Sequence, residues 1–436
     1  MISLNDFYDE NTTISFKKAI EHLASIGGGE LVVPPGTYMV GSIELKSNIC
    51  LNLEPGAEIV ASPNYEDFSS TVSSVKAEES YYGFIFARDC SNISIKGLGE
   101  INGNALSYND SPPDDFGYIQ PKKHRPRTIV FENCSRISLK GFSIVNAPMW
   151  TIHLIACADG LIDGLSVDNG LEYSNTDAIN LDGSRNFRIS NCFLRSADDG
   201  ICLKTSVKPK DIDFPCENIV VSNCVIESHS SAIKIGTETY NDFKNITISN
   251  CVITRSNRGV SIVSRDGGSI SSVNVSNLII ETSLTKECHW GKSDPIYISS
   301  RCRNPSVEPG VISDIFFSNI HIKTEGAINF HSETLGKVKN IKLAEITIQQ
   351  NYTNNKERGC FDLRPPCNPY NSSNDGMDNA YVIEAGSSRP YGVHEYKGGL
   401  PAFYSEGILE SEIGLINFNY TQDEKGYWND TKVLFV

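Results

Sequence analysis

Long apolar runs are missing from this chain. The longest are short segments such as GLIDGL and NIVV, too brief to span a bilayer. Basic charge is in deficit: 38 Lys and Arg stand against 53 Asp and Glu, giving a formal charge of −15 and a pI near 5.1. That balance argues against partnership with nucleic acid or an anionic membrane, while leaving room for a local basic cluster that holds an acidic ligand. Cys-x-x-Cys pairs and His/Cys clusters at zinc spacing are absent, and the thirteen cysteines are odd in number. No metal and no cofactor is called for, and a reduced, cytoplasmic setting is the simpler reading. The opening residues MISLNDFYDENTT, with no basic stretch leading into an apolar one, agree with that setting. A chain trimmed of its leader would read the same way. Helical spacing is nearly absent too, apart from SFKKAIEHLASIG near the start.

Repetition is what the chain has. Seven-residue units recur as NISIKGL from 92, RISLKGF from 136, DGLIDGL from 159, NFRISNC from 186 and NIVVSNC from 218. They continue as NITISNC from 245, SVNVSNL from 272, DIFFSNI from 314 and NIKLAEI from 340. The steps are 44, 23, 27, 32, 27, 27, 42 and 26 residues. We read the 44 as two coils, and the 32 and 42 as single coils with insertions or a missed repeat. Self-similarity at this period signals a solenoid.

Each unit alternates apolar and polar residues, as a strand with one buried face does. The second half of each coil alternates likewise, as in FLRSADDGICLKT and VIESHSSAIKIGT. Short strands, turns and a steady coil length predict an all-β fold, the right-handed parallel β-helix, with coils about 4.8 Å apart. Cys192, Cys224 and Cys251 hold one phase of successive coils and should stack as small buried residues, with Asn191, Asn223 and Asn250 before them in a turn ladder. We expect one continuous domain over 1–436. Residues 1–60 form a helical cap and the first coils, 84–350 the central coils with the site, and 351–436 loops and a closing coil.

Against this regular background, SADDGICLK places Asp198 and Asp199 side by side, about one coil after Asp177 in NTDAINLD. Coil stacking brings the three carboxyl groups to one angular position, several Å apart. Two carboxyl groups hydrolyse a glycosidic bond at about 5 Å for retention and about 6.5–9.5 Å for inversion. Crowding raises the pKa of one member, which then serves as general acid. The alternative is that Asp177 and Asp199 cap turns while Asp198 is solvated.

The strings NTDAINLD, SADDGICLK and SSAIKIGTE resemble glycoside hydrolase family 28, the polygalacturonase-like family of pectin-degrading enzymes, whose pattern is NTD, DD, GHG and RIK. The opening GGGELVVPPGTYMVGSIELKSN also looks like that family's N-terminal cap. The resemblance implies that Asp198 is the general acid and that Asp177 and Asp199 activate water, with inversion. It implies an oligosaccharide as the partner. Two motifs depart from the family: Ser231 stands where GHG has its histidine, and Ser261-Ile262-Val263 stands where the family has RIK. His229 is a candidate substitute for the histidine.

Other residues are candidates to hold the sugar. Lys204 and Lys234 occupy corresponding strand positions on adjacent coils, as two turns of a basic stripe, or else neutralise the aspartates structurally. Arg258 and Arg265 flank the altered RIK site. In ECHWGKSDPIYISSRCR, Trp290 offers a face for stacking and His289, Asp294 and Arg301 offer hydrogen bonds, with His331 a further candidate. The loop 106–127 is placed to wall off one end of a groove and enforce exo action. A polysaccharide lyase using the aspartates to bind calcium, and a non-catalytic carbohydrate-binding solenoid, are the competing functions.

Overall fold

The computed structural model describes residues 1–436 except 114–118, 287–288, 304, 365–382, 384–385, 387–388 and 424–425. Strand accounts for 54% of the chain and helix for 8%, and the strands run mostly parallel, as a right-handed parallel β-helix requires. Among the described residues no helix is long and apolar enough to cross a membrane. The chain divides into two compact units, one holding most of residues 1–198 with Ser206–Cys224, the other holding Asp199–Thr205 and Val225–Val436.

The first unit begins with the expected helix, Thr12–Ser25, capped by the Asn11 side chain, which accepts from the Thr13 N–H at 3.0 Å. Phe16, Ala19, Ile20 and Leu23 fall on one helix face and are buried. Beyond the helix, coils stack in strict register: Leu51 pairs with Ile95, Ile95 with Leu139, Leu139 with Ile162, Ile162 with Ile189, and Ile189 with Val221. All six are fully buried, each worth about 1.5–3 kcal/mol of apolar transfer. This register corrects the reading of the 44-residue step. Ser91–Gly97 pairs directly with Ser135–Lys140, so the step is one coil, enlarged by an insertion that includes the 3-10 turn Ala105–Tyr108 and the short strands Asn109–Pro113 and Ile119–Pro121. A further coil at Ile49–Leu53 precedes it by the same distance. The 32-residue step is a single coil with an insertion.

A second row of strands, Ser80–Arg88, Arg127–Glu132, Ile152–Ile155 and Ile179–Asp182, stacks in parallel alongside. Its outward side is covered, since Phe86, Val130 and Ile155 pack beneath Val75, Ile212 and Phe214. Next to that cover runs a buried polar line in which Arg127 Nη1 meets His153 Nδ1 at 2.8 Å and His153 Nε2 meets Asp182 at 3.2 Å. Lys208 Nζ and the Ser206 N–H complete the set on Asp182 Oδ1 at 2.5 and 2.8 Å.

In the second unit the coils at Phe243–Ser249, Ile270–Thr282, Ile312–Thr324 and Val338–Gln350 repeat the same logic, with Ile248, Val275, Phe317 and Leu343 in one register. The 42-residue step is a single enlarged coil. The row that carries the site comprises Ile201–Thr205, Ser231–Thr239, Arg258–Ser264, Asp294–Ser300, Ile328–Ser332 and Phe403–Glu406. The final segment returns to strand as expected. Of residues 351–402, which read as long surface loops, 365–382, 384–385 and 387–388 lie outside the described residues, while Asp362 and Arg364 are buried, 0% and 2% exposed. Their opposite charges meet, which makes burial tolerable.

The turn residues match the expectation in both units. Asn191, Asn223 and Asn250 have φ of 58°, 57° and 56°, the left-handed region that asparagine tolerates. Asn223 donates to Asn191 at 3.4 Å, and Asn277 to Asn250 at 3.2 Å. Cys192, Cys224 and Cys251 are buried thiols outside any disulfide, each donating to the carbonyl two residues earlier.

Candidate active site

In the first unit, the loop carrying Asn175-Thr176-Asp177 is fixed from several sides. Asn175 has φ of 57°, and its side chain accepts from Arg125 Nη2 at 2.9 Å. Arg125 Nη1 donates to the carbonyls of Pro148 and Ser174 at 2.8 and 3.0 Å. Asn169 donates to Thr151 Oγ1 at 2.7 Å and to the Thr176 carbonyl at 3.1 Å, and the Thr151 N–H reaches the Asp177 carbonyl at 2.8 Å. Asp177 is thereby buried on a rigid turn. Its loop is tied to the turn bearing Asp198, because the Ala197 N–H donates to Thr176 Oγ1 at 3.3 Å. Burial lowers the pKa of Arg125 to about 10, with the charges of Glu78 and Asp198 opposing the shift, so its guanidinium stays charged at neutral pH. Sequence reasoning missed Arg125. Its position inside the 106–127 loop was the available signal.

Asp199 belongs to the second unit and is 1% exposed. Three donors fix its orientation: Ser230 Oγ at 2.9 Å, the Ser231 N–H at 3.2 Å and Lys234 Nζ at 2.9 Å. Gly200 follows it because a Cβ there would lie 2.5 Å from Ile226 Cγ2 and 2.6 Å from the Ala232 carbonyl oxygen. Backbone crowding thus accounts for the glycine of the DDG string.

Next to this cradle lies a narrow pocket in the second unit, about 380 Å³ of space counted together with the solvent at its mouth, whose interior has room for little more than one water. Ser231, Lys234, Arg258, Arg265, Trp290 and Arg301 all line it, so six of the eight candidate sugar-binding residues converge on one place. In-register stacking explains this, since Ser231 pairs with Arg258 and Arg258 with Asp294. Arg364, Tyr297, Ser299 and Thr237 share the lining and were not singled out from sequence. Among the described residues the lining holds five cationic side chains and no carboxylate.

The carboxylates that balance them lie outside the lining. Arg258 pairs with Asp294 at 2.9 Å and lies over the Tyr297 ring with its guanidinium carbon 3.8 Å from the centroid. Burial opposes its charge, while Asp294, Tyr297 and Asp362 outweigh that and hold its pKa above the ordinary arginine value. Arg301 pairs with Glu333 at 3.3 Å. Arg265 donates to the Cys302 carbonyl at 3.1 Å, and burial lowers its pKa to about 10.

Two candidates lie elsewhere. Lys204 does not extend a stripe with Lys234, because Lys234 is in register with Cys202 and the pairing shifts between Leu203 and Thr205. Lys204 instead faces Glu238 at 3.8 Å. His229 lines a separate open depression with Arg255 and Lys286, its ring edge-on to His289 with centroids 4.9 Å apart. His289 is buried, and both burial and His229 press its pKa well below the ordinary value. His331 is buried and meets Glu406 at 3.3 Å.

A family model described as glycosyl hydrolases family 28 matches residues 25–360. The chain belongs to this family. A probable polygalacturonase of Vitis vinifera is 27% identical over 240 residues, covering 52% of this chain and 48% of the relative. The chain thus spans about half the length of the curated relatives it matches. Among solved structures, the exopolygalacturonase of Thermotoga maritima superimposes with a TM-score of 0.66 at 23% identity, over 80% of this chain and 87% of the other. The family 28 exopolygalacturonase of Yersinia enterocolitica gives 0.59 at 15% identity, over 98% and 78%. These likenesses establish the fold. As a family 28 chain, the protein retains the NTD and DD strings and replaces the other two motifs, and Lys234 lies in register with Ser261 at the altered RIK site.

Proposed function

We propose that the protein is an exo-acting, inverting glycoside hydrolase of pectin-related oligosaccharides, derived from galacturonan or rhamnogalacturonan. The observation that carries this reading is the carboxylate-free cationic cavity, which shares Ser231 and Lys234 with the cradle of Asp199. An acidic sugar placed over its mouth is attracted by five positive side chains while Trp290 offers an apolar face. The covering of the strand rows supports exo action. In the first unit Val130 and Ile155 lie under Val75 and Ile212, and in the second Tyr404 lies among Phe361, Leu363 and Tyr396. A polymer cannot lie across a floor already covered, so a chain end is the part that fits.

In this mechanism Asp198 gives its proton to the glycosidic oxygen as the bond to the anomeric carbon breaks. Asp177 and Asp199 hold a water and take its proton as the water attacks from the opposite face. Arg125 and the Ser230–Lys234 cradle keep the two bases in place. The name of the Thermotoga maritima neighbour, an exopolygalacturonase, agrees with the substrate class.

The test is purified protein with defined tri- and tetragalacturonate and rhamnogalacturonan oligosaccharides, the product anomer followed by NMR. Monosaccharide released from the first time point, with inverted configuration, is expected. Asp198→Asn should lower turnover by about 10²–10⁴-fold. Retained configuration, an unsaturated ultraviolet-absorbing product, or preference for a neutral oligosaccharide refutes the proposal.

A further inference from the structure

The strand Val252–Ser256 breaks the regular pairing at one point. Ile253 is in register with Ile280 and Ser256 with Thr282, so three steps on this strand oppose two on the next. A bulge of this kind re-aims the side chains inside it. One of them is Arg255, with a φ of 42°, in the left-handed region that residues of its size seldom enter. Glu227, 6% exposed on the preceding coil, grips the guanidinium: Nε donates to Oε1 at 3.0 Å and Nη2 to Oε2 at 2.9 Å. The arginine side chain is nevertheless 68% exposed, and Nη1 takes no part in the grip. Arg255 is thus fixed in direction and open to a ligand.

Arg255 lines the open depression of His229, which holds about 780 Å³ of space counted together with the solvent above it, about twice that of the narrow pocket. Lys286 shares the lining, and Ser283, Thr285 and Asn355 add two hydroxyls and an amide. Glu227, the one carboxylate of the described lining, is already paired with Arg255. Chain connectivity sets this depression beside the cradle of Asp199. His229 precedes Ser230, which donates to Asp199 at 2.9 Å, and His289, edge-on to His229, precedes Trp290 of the cationic pocket. Among the described residues the two linings share no member, so each takes a different ring of the glycan.

We infer that the depression is a subsite for a third uronate ring, whose carboxylate is met by Arg255 and Lys286, while the first two rings flank the bond cleaved beside Asp199. This rests on the proposed cleavage of acidic oligosaccharides. Glu227 and the bulge fix the guanidinium beforehand, so little ordering entropy is lost when the carboxylate arrives. The charge-assisted hydrogen bonds it then makes add to affinity for the longer substrate.

The experiment measures kcat/KM on di- and trigalacturonate for the wild type, Lys286→Gln, Arg255→Lys and the double variant Glu227→Gln/Arg255→Gln, with thermal melts of each. The double variant removes both charges, so the buried Glu227 is not left unmatched. The wild type should cleave the trimer about 5–20-fold more efficiently than the dimer. In the double variant that gain should shrink to about twofold or less, mainly through KM, with the dimer unchanged within about twofold. Lys286→Gln and Arg255→Lys should fall between. A wild type indifferent to length, or equal losses on dimer and trimer, overturns the inference. Lys286 is exposed, so its variant carries the test should the double variant not fold, and a trimer gain left whole in Lys286→Gln then overturns it. Should the wild type cleave neither substrate, the proposed activity has failed, and calorimetric titration with trigalacturonate then decides the subsite. Affinity about fivefold weaker in the double variant upholds it and unchanged affinity overturns it.

Discussion

Replacing Arg125 with methionine separates the placement of Asp177 from the binding of sugar. The methionine keeps much of the aliphatic stem and removes three hydrogen bonds, to the Pro148 and Ser174 carbonyls and to Asn175 Oδ1. Hydrogen bonds from a charged donor contribute about 1.5–3 kcal/mol each, and the cost of burying the guanidinium, visible in its lowered pKa, offsets part of the sum. A net loss of about 3 kcal/mol follows, or roughly 6–12 °C in the melting of a unit of this size. Catalysis should suffer separately. Asn175 would keep its left-handed conformation only through its neighbours, and a shift of about 1 Å at a reacting group costs on the order of 10²-fold. The cationic cavity lies in the other unit and is not altered, so kcat should fall about 100-fold while KM stays within a few-fold. Differential scanning calorimetry and steady-state kinetics on trigalacturonate read the two effects, with Arg125→Lys recovering part of each. A lowered melting temperature with unchanged kcat would refute the reasoning, because the turn would then be held without Arg125.

Two further outcomes follow from buried charge. Lys208→Met leaves Asp182, which is fully buried, without its ammonium and should destabilise the first unit by about 3–5 kcal/mol; adding Asp182→Asn should recover most of that loss, as read by urea denaturation. His289 is held neutral in the fold by burial and by His229, while the unfolded chain takes up a proton below its ordinary value of 6.5. Its contribution to stability is thus present above pH 6.5 and is lost as pH falls below it, by up to about 1.4 kcal/mol per pH unit. Denaturation of the wild type and His289→Gln at pH 7 and 5.5 should show a shallower slope in the variant, and equal slopes would dismiss the assignment.

Much of the fold could be read directly, because a strand with one buried face alternates strictly and neighbours such as Ile162 and Ile189 recur at the coil spacing. The 44-residue step misled because an insertion lengthens one coil, and its described strands, Asn109–Pro113 and Ile119–Pro121, pair with each other and not with the repeat. Arg258, Arg265, Trp290 and Arg301 stood out as polar or aromatic side chains near the altered motif, and register stacking brings them to one wall. Lys204 and Lys234 were set two residues out of register, since the partner of Lys234 is Cys202, ahead of the point where the pairing shifts. Arg125 and Arg364 were hidden for a different reason. Both come from irregular segments, where no periodicity indicates which side chain turns inward.

The ladder of paired rungs has an engineering consequence. Steps of 23 residues and of 44 residues join the same stack without disturbing its alignment, so a change in the length of a connector leaves the backbone under the aspartates where it was. Connector length and strand register are therefore separable in this protein.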